Sequence, residues 1–193
     1  MMFYWTVCFI LRVLARIRYR VRISGIENIP EDGAFILCSN HIHSYDPAML
    51  AIFIKRQMCF MAKKELFKNP VKGWFFSKMG AFPVDRGAAD IASYRRAMKA
   101  LKSGMGLVIF SQGTRMQQID INSAKGGVAL FGVKAQVPII PVGISGTYKT
   151  LSTINIKYGS AVSLEKYYGS GLKAEQIDEI MTGIMSKVEE LVE

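Results

Sequence analysis

From residue 19 onward, short apolar runs alternate with longer segments in which apolar residues recur every three or four positions. The short runs predict strands at YRVRIS, AFILCS, MCFMAK, AFPVD, GLVIFS, VPIIPVGI and NIKYGSAVSL. Helices are predicted at residues 47–55, 70–79, 89–103, 124–135 and 173–192. Several strand runs are continuously apolar, as in strands covered on both faces. The pattern predicts a single α/β domain with a mostly parallel, helix-covered sheet.

The first 18 residues show a different, amphipathic pattern. One helical stripe consists of Phe3, Val7, Ile10, Leu14 and Ile17. Arg12 and Arg16 share another face, and the uncharged run before Arg12 is shorter than the roughly 20 residues that span a bilayer. Apolar insertion with arginines near anionic headgroups predicts a membrane-docking helix at 1–18, ahead of a domain at 19–193. The alternative is a helix packed on the domain's own core.

Charge narrows the class of partner. The net charge of +10 favours an anionic partner: nucleic acid, phosphate-bearing lipid, a membrane surface or an acidic carrier protein. The basic residues cluster in the first helix and at strand ends rather than alternating with aromatic residues, so nucleic acid is not expected. The three cysteines are far apart and lack CxxC spacing, which disfavours disulfides and zinc and favours a reducing, cytosolic environment.

The segment SNHIHSYDP, residues 39–47, follows the predicted strand AFILC, where ligands gather in parallel sheets. Pro47 predicts a helix start with Asp46 as its N-cap. If a turn brings Asp46 against His41, the carboxylate orients the imidazole and leaves its other nitrogen to accept a proton from a hydroxyl. A metal site at His41 and His43 lacks further ligands, so no metal is expected. No GxSxG elbow is present, which favours direct transfer without a covalent intermediate.

Asn40 and His41, followed after four residues by Asp46, resemble the NHxxxxD signature of the glycerolipid acyltransferase family, most closely its lysophosphatidate acyltransferases. Further segments match in family order between residues 20 and 147. MAKKELFKNP contains Lys63, GAFPVDRG contains Arg86, and VIFSQGTRM contains Phe110, Gly113, Thr114 and Arg115. VPIIPVGI is similar to the family's VPIxPVxI strand, which implies a wall of the acyl-chain site, with plain core packing as the alternative.

The resemblance implies transfer of a fatty acyl group from acyl-ACP or acyl-CoA to the free hydroxyl of a lysophospholipid, here 1-acyl-glycerol-3-phosphate. His41 and Asp46 are then the general-base pair, and no cofactor is required. The residues implied in ordering the site and binding the acceptor and its phosphate are Asn40, Lys63, Arg86, Gln112, Gly113, Thr114 and Arg115. The implied partners are the lysophospholipid, an anionic membrane surface and acyl carrier protein, at the cytoplasmic face of the cell membrane.

One family motif departs from the usual pattern. Gln112 stands where the family has Glu, Ser111 replaces Pro, and Met116 replaces the final Ser. Gln retains the reach of Glu and loses its charge. Two alternatives therefore stay open: an acyltransferase with another acceptor, such as a different lysophospholipid or glycerol-3-phosphate, and a weakly active lipid-binding membrane protein.

Overall fold

The computed structural model describes residues 2–85, 90–111, 126–169 and 171–193. The strands are β1 Arg20–Ser24, β2 Phe35–Ser39, β3 Met58–Lys63, β4 Ala81–Val84, β5 Gly106–Phe110, β6 Ile139–Gly146 and β7 Thr153–Tyr158. The helices are α1 Met2–Arg18, α2 Asp46–Phe53, α3 Pro70–Lys78, α4 Ile91–Lys102, α5 Gly127–Ala135 and α6 Ala174–Val192. Short 3₁₀ helices cover Ile26–Asn28, Lys64–Phe67 and Glu165–Tyr167.

The strands of the described residues form a seven-stranded sheet in the order β1-β7-β6-β2-β5-β3-β4. Strands β6, β2, β5, β3 and β4 are mutually parallel. Strand β7 pairs antiparallel with β6, and β1 pairs parallel with β7. The prediction of one α/β domain with a mostly parallel sheet is confirmed. Pro83 lies in β4 at the edge of the sheet, where its missing N–H costs no ladder hydrogen bond.

Two apolar clusters cover the two faces of this sheet. Alternate residues of β2 separate them: Phe35 and Leu37 pack with α1 and α2, whereas Ile36 and Cys38 pack with α4, α5 and α6. Central-strand residues such as Ile140 are completely buried, as the continuously apolar runs predict. The sheet is thus covered on both faces, and the carboxyl ends of its five parallel strands lie at one common edge.

Two predicted strands differ from the structure by more than one residue at their ends. The run at 137–144 begins later, at Ile139, because the Val137 N–H bonds to the carbonyl oxygen of Gly132 as part of the end of α5, and Pro138 has no N–H. The run at 155–164 pairs as a strand only to Tyr158. Beyond it, Gly159 donates to the carbonyl oxygen of Pro141, and Val162 makes an isolated bridge with Ile139.

Helix α1 is attached to the core by one of its faces. Tyr4, Cys8 and Ala15 are buried there, and the Arg12 Nε donates to the carbonyl oxygen of Ile52 at 2.5 Å. The alternative of a helix packed on the domain's own core is therefore correct for this face. The predicted apolar stripe nevertheless points outward, with Leu14 54% and Ile17 70% exposed.

The exposed apolar side of α1 continues onto α3. The Phe3 ring lies 5.3 Å from the Trp74 ring and 6.3 Å from the Phe75 ring, measured between centroids. Val71 and Trp74 on α3 are 74% and 54% exposed. We call this the α1–α3 apolar surface; its members are Phe3, Ile10, Leu14, Ile17, Val71, Trp74 and Phe75. Among the described helices, none combines the length and the apolar character needed to cross a bilayer.

Candidate active site

Residues that follow the parallel strands meet at the carboxyl edge of the sheet. His41 comes two positions after β2, Lys63 ends β3, Phe110 ends β5 and Tyr148 follows β6. Ser39 of β2 is in register with Phe110 on one side and with Val142 on the other. The edge therefore gathers side chains that are far apart in sequence, as expected for parallel α/β sheets.

A tight turn folds Asp46 back onto His41. The Asp46 N–H donates to the carbonyl oxygen of His43 at 3.1 Å, which closes the turn ahead of α2. The His41 Nδ1 then lies 2.8 Å from Oδ2 of Asp46. The contact required for a general-base pair is thus present in the structure.

The Asp46 carboxylate is fully buried and is surrounded by donors. Its Oδ2 accepts from the backbone N–H groups of Ile42 and His43, each at 2.7 Å, in addition to His41. Its Oδ1 accepts from the Tyr148 hydroxyl at 2.5 Å. A buried charge is tolerated when hydrogen bonds replace its lost hydration. Asp46 is therefore held in one orientation.

This arrangement selects the tautomer of His41. A carboxylate only accepts hydrogen bonds, so Nδ1 of His41 carries the proton and Nε2 is the free acceptor. The ring stacks on Phe110, with centroids 4.2 Å apart and planes at 24°, and its side chain is 13% exposed. The imidazole is thus fixed at both its edge and its face, and it still reaches the surface.

The prediction that Asp46 caps α2 is wrong. Asp46 is the first helical residue, and Tyr45 occupies the N-cap position without a side-chain capping bond. The carboxylate turns away from the helix because the N–H groups of Ile42 and His43 and the His41 ring occupy it. Pro47 still lies in the first turn, as predicted.

Asn40 locks the turn to the neighbouring strand. Its side-chain Nδ2 donates to the carbonyl oxygen of Ile144, and its Oδ1 accepts from the Ile144 N–H, both at 2.8 Å. The pairing of β2 with β6 ends at Ser39, so the Asn40 amide provides the next partner. Asn40 is 3% exposed, with both ends of its amide engaged in this way. Ordering of the turn fits this geometry, and a contact with substrate stays a prediction.

The His43 side chain contacts two tyrosines, Tyr45 and Tyr148. Its Nδ1 accepts from the Tyr45 N–H at 3.2 Å, and its ring stacks on Tyr148 with centroids 4.3 Å apart. Within the described residues, no group of three or more His, Cys, Asp and Glu side chains is arranged to hold a metal ion.

The other predicted site residues divide into two groups. Lys63 is described: it is exposed, and its Nζ lies 3.7 Å from Oε1 of Glu65. Its phosphate-binding role stays a prediction, and the sequence equally allows a solvated surface lysine. Five others lie outside the described residues, namely Arg86, Gln112, Gly113, Thr114 and Arg115.

A cleft of about 440 Å³ opens beyond the ends of β3 and β4. Lys64 and Arg96 bring positive charge to it, Asp85 and Asp90 bring negative charge, and Lys64 lies 3.7 Å from Asp85. Neither Lys64 nor Arg96 is in the predicted site. Their signal in the sequence is weak, because an exposed basic residue after a strand or on a helix is common. The lining residues are Lys64, Pro83, Asp85, Asp90, Ile91, Ala92 and Arg96.

The described apolar groups near the site are structural. Ile139, Ile140, Val142 and Ile144 are completely buried, which agrees with the core-packing alternative for this strand.

The three cysteines are buried and unpaired, and burial raises the pKa of Cys38 and Cys59 to about 12. A thiol with so high a pKa stays protonated and is a poor nucleophile.

Tyr148 is the contact that sequence reasoning missed. It lies 102 positions from Asp46, and no motif marks it. It lies at the same edge as His41 because β6 pairs in parallel with β2 and Tyr148 follows β6 by two residues. Burial, followed by the negative charge of Asp46 and their hydrogen bond, raises the pKa of Tyr148 above its usual range.

This chain is similar in sequence to a known family of proteins. The model of the Acyltransferase family matches residues 20–145. The 1-acyl-sn-glycerol-3-phosphate acyltransferase of Streptococcus pneumoniae is 35% identical over 146 residues, which is 72% of this chain and 54% of that protein. The enzyme of the same name from Bacillus subtilis is 34% identical over 137 residues, 70% of this chain and 68% of that protein.

A solved structure shares the fold. The crystal structure of the 1-acyl-sn-glycerophosphate acyltransferase from Thermotoga maritima superposes with a TM-score of 0.75 and 26% sequence identity. The match covers 97% of this chain and 78% of that one. The chain thus spans about half the length of the Streptococcus relative and about two thirds of the Bacillus one.

The Asn40 amide has a predicted energetic effect. Asn40→Ala leaves a buried N–H and C=O of Ile144 without partners, so we expect the free energy of unfolding to fall by roughly 2–5 kcal/mol, measured by urea denaturation. Asn155→Ala is the matched control, since that amide is partly exposed and makes a long bond of 3.4 Å to Ser145. It should cost less than about 1 kcal/mol. Equal losses of unfolding free energy in the two variants would contradict the role of Asn40 in holding the turn to β6.

Proposed function

Because this chain belongs to the Acyltransferase family, we propose that it moves a fatty acyl group from a thioester to the free hydroxyl of 1-acyl-glycerol-3-phosphate, forming phosphatidic acid. The names of its relatives support the acceptor. The observation that carries the mechanism is the 2.8 Å contact between His41 and Asp46 at the carboxyl edge of the sheet.

The geometry supports a general-base mechanism. His41 Nε2 takes the proton from the acceptor hydroxyl as the hydroxyl oxygen attacks the thioester carbonyl. The new ester C–O bond forms, the C–S bond breaks, and the thiolate receives the proton back from the imidazolium. Asp46 keeps the ring in the tautomer that this step needs and stabilises the positive charge that develops on it.

The proposal also covers the acyl donor and the site that binds the acceptor's phosphate. A thioester is an activated acyl donor, so the transfer requires no further cofactor, and both acyl-ACP and acyl-CoA fit the chemistry. We assign the acceptor's phosphate to Lys63, Arg86 and Arg115, with the Thr114 hydroxyl as a further donor, on the basis of their motifs. Guanidinium groups suit this ligand because they bond two oxygens at once. Gln112 and Gly113 are assigned to contacts with the substrate.

The α1–α3 apolar surface supports docking to a membrane, which we propose to be at the cytoplasmic face. Its outward residues include Leu14, Ile17 and Trp74, and the exposed Lys68 and Lys72 flank Val71 in the same segment. Apolar contact combined with positive charge favours an anionic bilayer surface. A lysophospholipid resides in such a surface, so a docked enzyme meets its acceptor without extracting it into water.

His41→Ala tests the general base. We expect kcat to fall by about 10²- to 10⁴-fold in an assay that follows thiol release from acyl-ACP and, in parallel, acyl-CoA. Binding of lysophosphatidate in micelles should persist. Ser44→Ala is the matched control, because Ser44 is exposed in the same turn, and it should retain most of the activity. Turnover of His41→Ala near the wild-type rate would refute the role of His41 as the general base.

The same assay separates the alternatives for the wild-type chain. Thiol release with another lysophospholipid or with glycerol-3-phosphate, and none with lysophosphatidate, would show that the acceptor differs from the proposed one. Lipid binding without thiol release for any acceptor refutes the enzyme and favours the lipid-binding alternative.

The docking surface has its own test. The double variant Leu14→Glu with Ile17→Glu removes two outward apolar side chains and adds two negative charges, so binding to phosphatidylglycerol-containing vesicles should weaken at least about tenfold. Co-sedimentation measures this. Ile91→Glu is the control, because Ile91 is 64% exposed on α4, which packs on the opposite face of the sheet. Unchanged binding of the double variant contradicts docking through α1.

A further inference from the structure

The proposed mechanism leaves one contact of the site without a function, the hydrogen bond from the Tyr148 hydroxyl to Oδ1 of Asp46. His41 occupies the other carboxylate oxygen, Oδ2. We propose that Tyr148 is a positioning residue that acts through Asp46, fixing the direction and basicity of the carboxylate that serves His41. This inference rests on the proposed acyl transfer and adds a third member to its base pair.

The surroundings of Tyr148 hold its hydroxyl in one direction. Its ring stacks on His43 at an interplanar angle of 20°, and the ring of Tyr19 meets it edge-on at a centroid distance of 5.6 Å. Tyr45 makes a further edge contact at 5.9 Å. These contacts come from the turn before α2 and from the residue that follows α1, so the hydroxyl points to Asp46 from a fixed ring.

Tyr148 stays a donor under working conditions. Burial and the adjacent carboxylate raise the pKa of its hydroxyl, so it keeps its proton at neutral and moderately alkaline pH. A hydroxyl that keeps its proton contributes a constant hydrogen bond. Removal of the bond leaves Oδ1 of Asp46 without its donor, and the torsion of a carboxylate end group is soft.

Two consequences follow for His41. A carboxylate with one donor fewer is a stronger acceptor, so it holds the imidazolium more tightly and the free base forms at higher pH. The carboxylate also loses one of the contacts that orient it, the one on Oδ1, so the productive orientation of the ring becomes less populated. Both effects act on the chemical step and leave the binding of the acceptor unchanged.

The polar and titratable groups around this unit are few in the described part of the chain. Asp46 and Phe110 face His41, while Asp46, His43, Tyr45 and Tyr19 face Tyr148. The Tyr19 hydroxyl accepts from Nε of Arg18 at 3.1 Å. Tyr148 is thus the side chain that hydrogen-bonds directly to the second carboxylate oxygen.

The test compares the half-buried Tyr148 with the buried Tyr158. Tyr148→Phe keeps the ring and removes the hydroxyl, so kcat should fall about 10- to 100-fold, the equivalent of one hydrogen bond to a charged group. KM for lysophosphatidate should stay within about twofold. The acidic limb of the pH profile of kcat/KM should move to higher pH. Tyr158→Phe is the control, because its buried hydroxyl has no hydrogen-bond partner among the described residues, and neither quantity should move.

A double-mutant cycle distinguishes positioning from a purely structural effect. In the Asp46→Asn background the charge is absent, so Tyr148→Phe should cause little further loss of kcat. Thermal unfolding is measured for every variant. If Tyr148→Phe does not fold, Tyr148 is replaced by 3-fluorotyrosine, which keeps the hydroxyl and strengthens its donation. That replacement should move the acidic limb to lower pH.

The outcomes separate this inference from the proposed function. A wild-type chain without acyl transfer refutes the proposed function. An active wild-type chain whose Tyr148→Phe variant keeps the wild-type kcat and pH profile refutes the positioning role alone. Additive losses in the cycle, or a 3-fluorotyrosine variant with an unshifted acidic limb, also overturn it.

Discussion

The buried carboxylate of Asp46 is the constraint on which the site depends. A charge removed from water needs hydrogen bonds from every accessible direction, and Asp46 receives them from two backbone N–H groups, an imidazole and a hydroxyl. These donors come from the turn after β2 and from the loop after β6. Satisfying this one charge therefore shapes the turn and places His41.

The sheet makes this arrangement rigid. The Asn40 amide ties the turn to Ile144 of β6, and Phe110 at the end of β5 supports the face of His41. The turn, the support and Tyr148 thus follow three neighbouring parallel strands. In the proposed reaction, such a fixed base needs little reorganisation as the proton moves. The α1–α3 apolar surface, in the same proposal, brings the lipid substrate to this edge.

Sequence reasoning predicted much of this structure and missed specific parts of it. Continuous apolar runs and Gly or Pro breaks predicted the parallel sheet, and the spacing of His41 and Asp46 predicted a pair that needs a turn. The cap role of Asp46 was wrong because local propensity does not show that the carboxylate is already occupied by Ile42, His43 and His41. Tyr148 was missed because its contact depends on the pairing of β6 with β2, which no single segment reveals.

The tautomer of His41 tests the central claim most directly. The chain contains two histidines, so ¹⁵N NMR of histidine-labelled protein at neutral pH resolves both rings, and His43→Ala assigns them. The structure predicts a protonated Nδ1 and a free Nε2 on His41, because Asp46 accepts at Nδ1. His43 should show the opposite form, since its Nδ1 accepts from Tyr45. A neutral His41 with its proton on Nε2 contradicts the account, because that nitrogen then has no lone pair for the acceptor's proton.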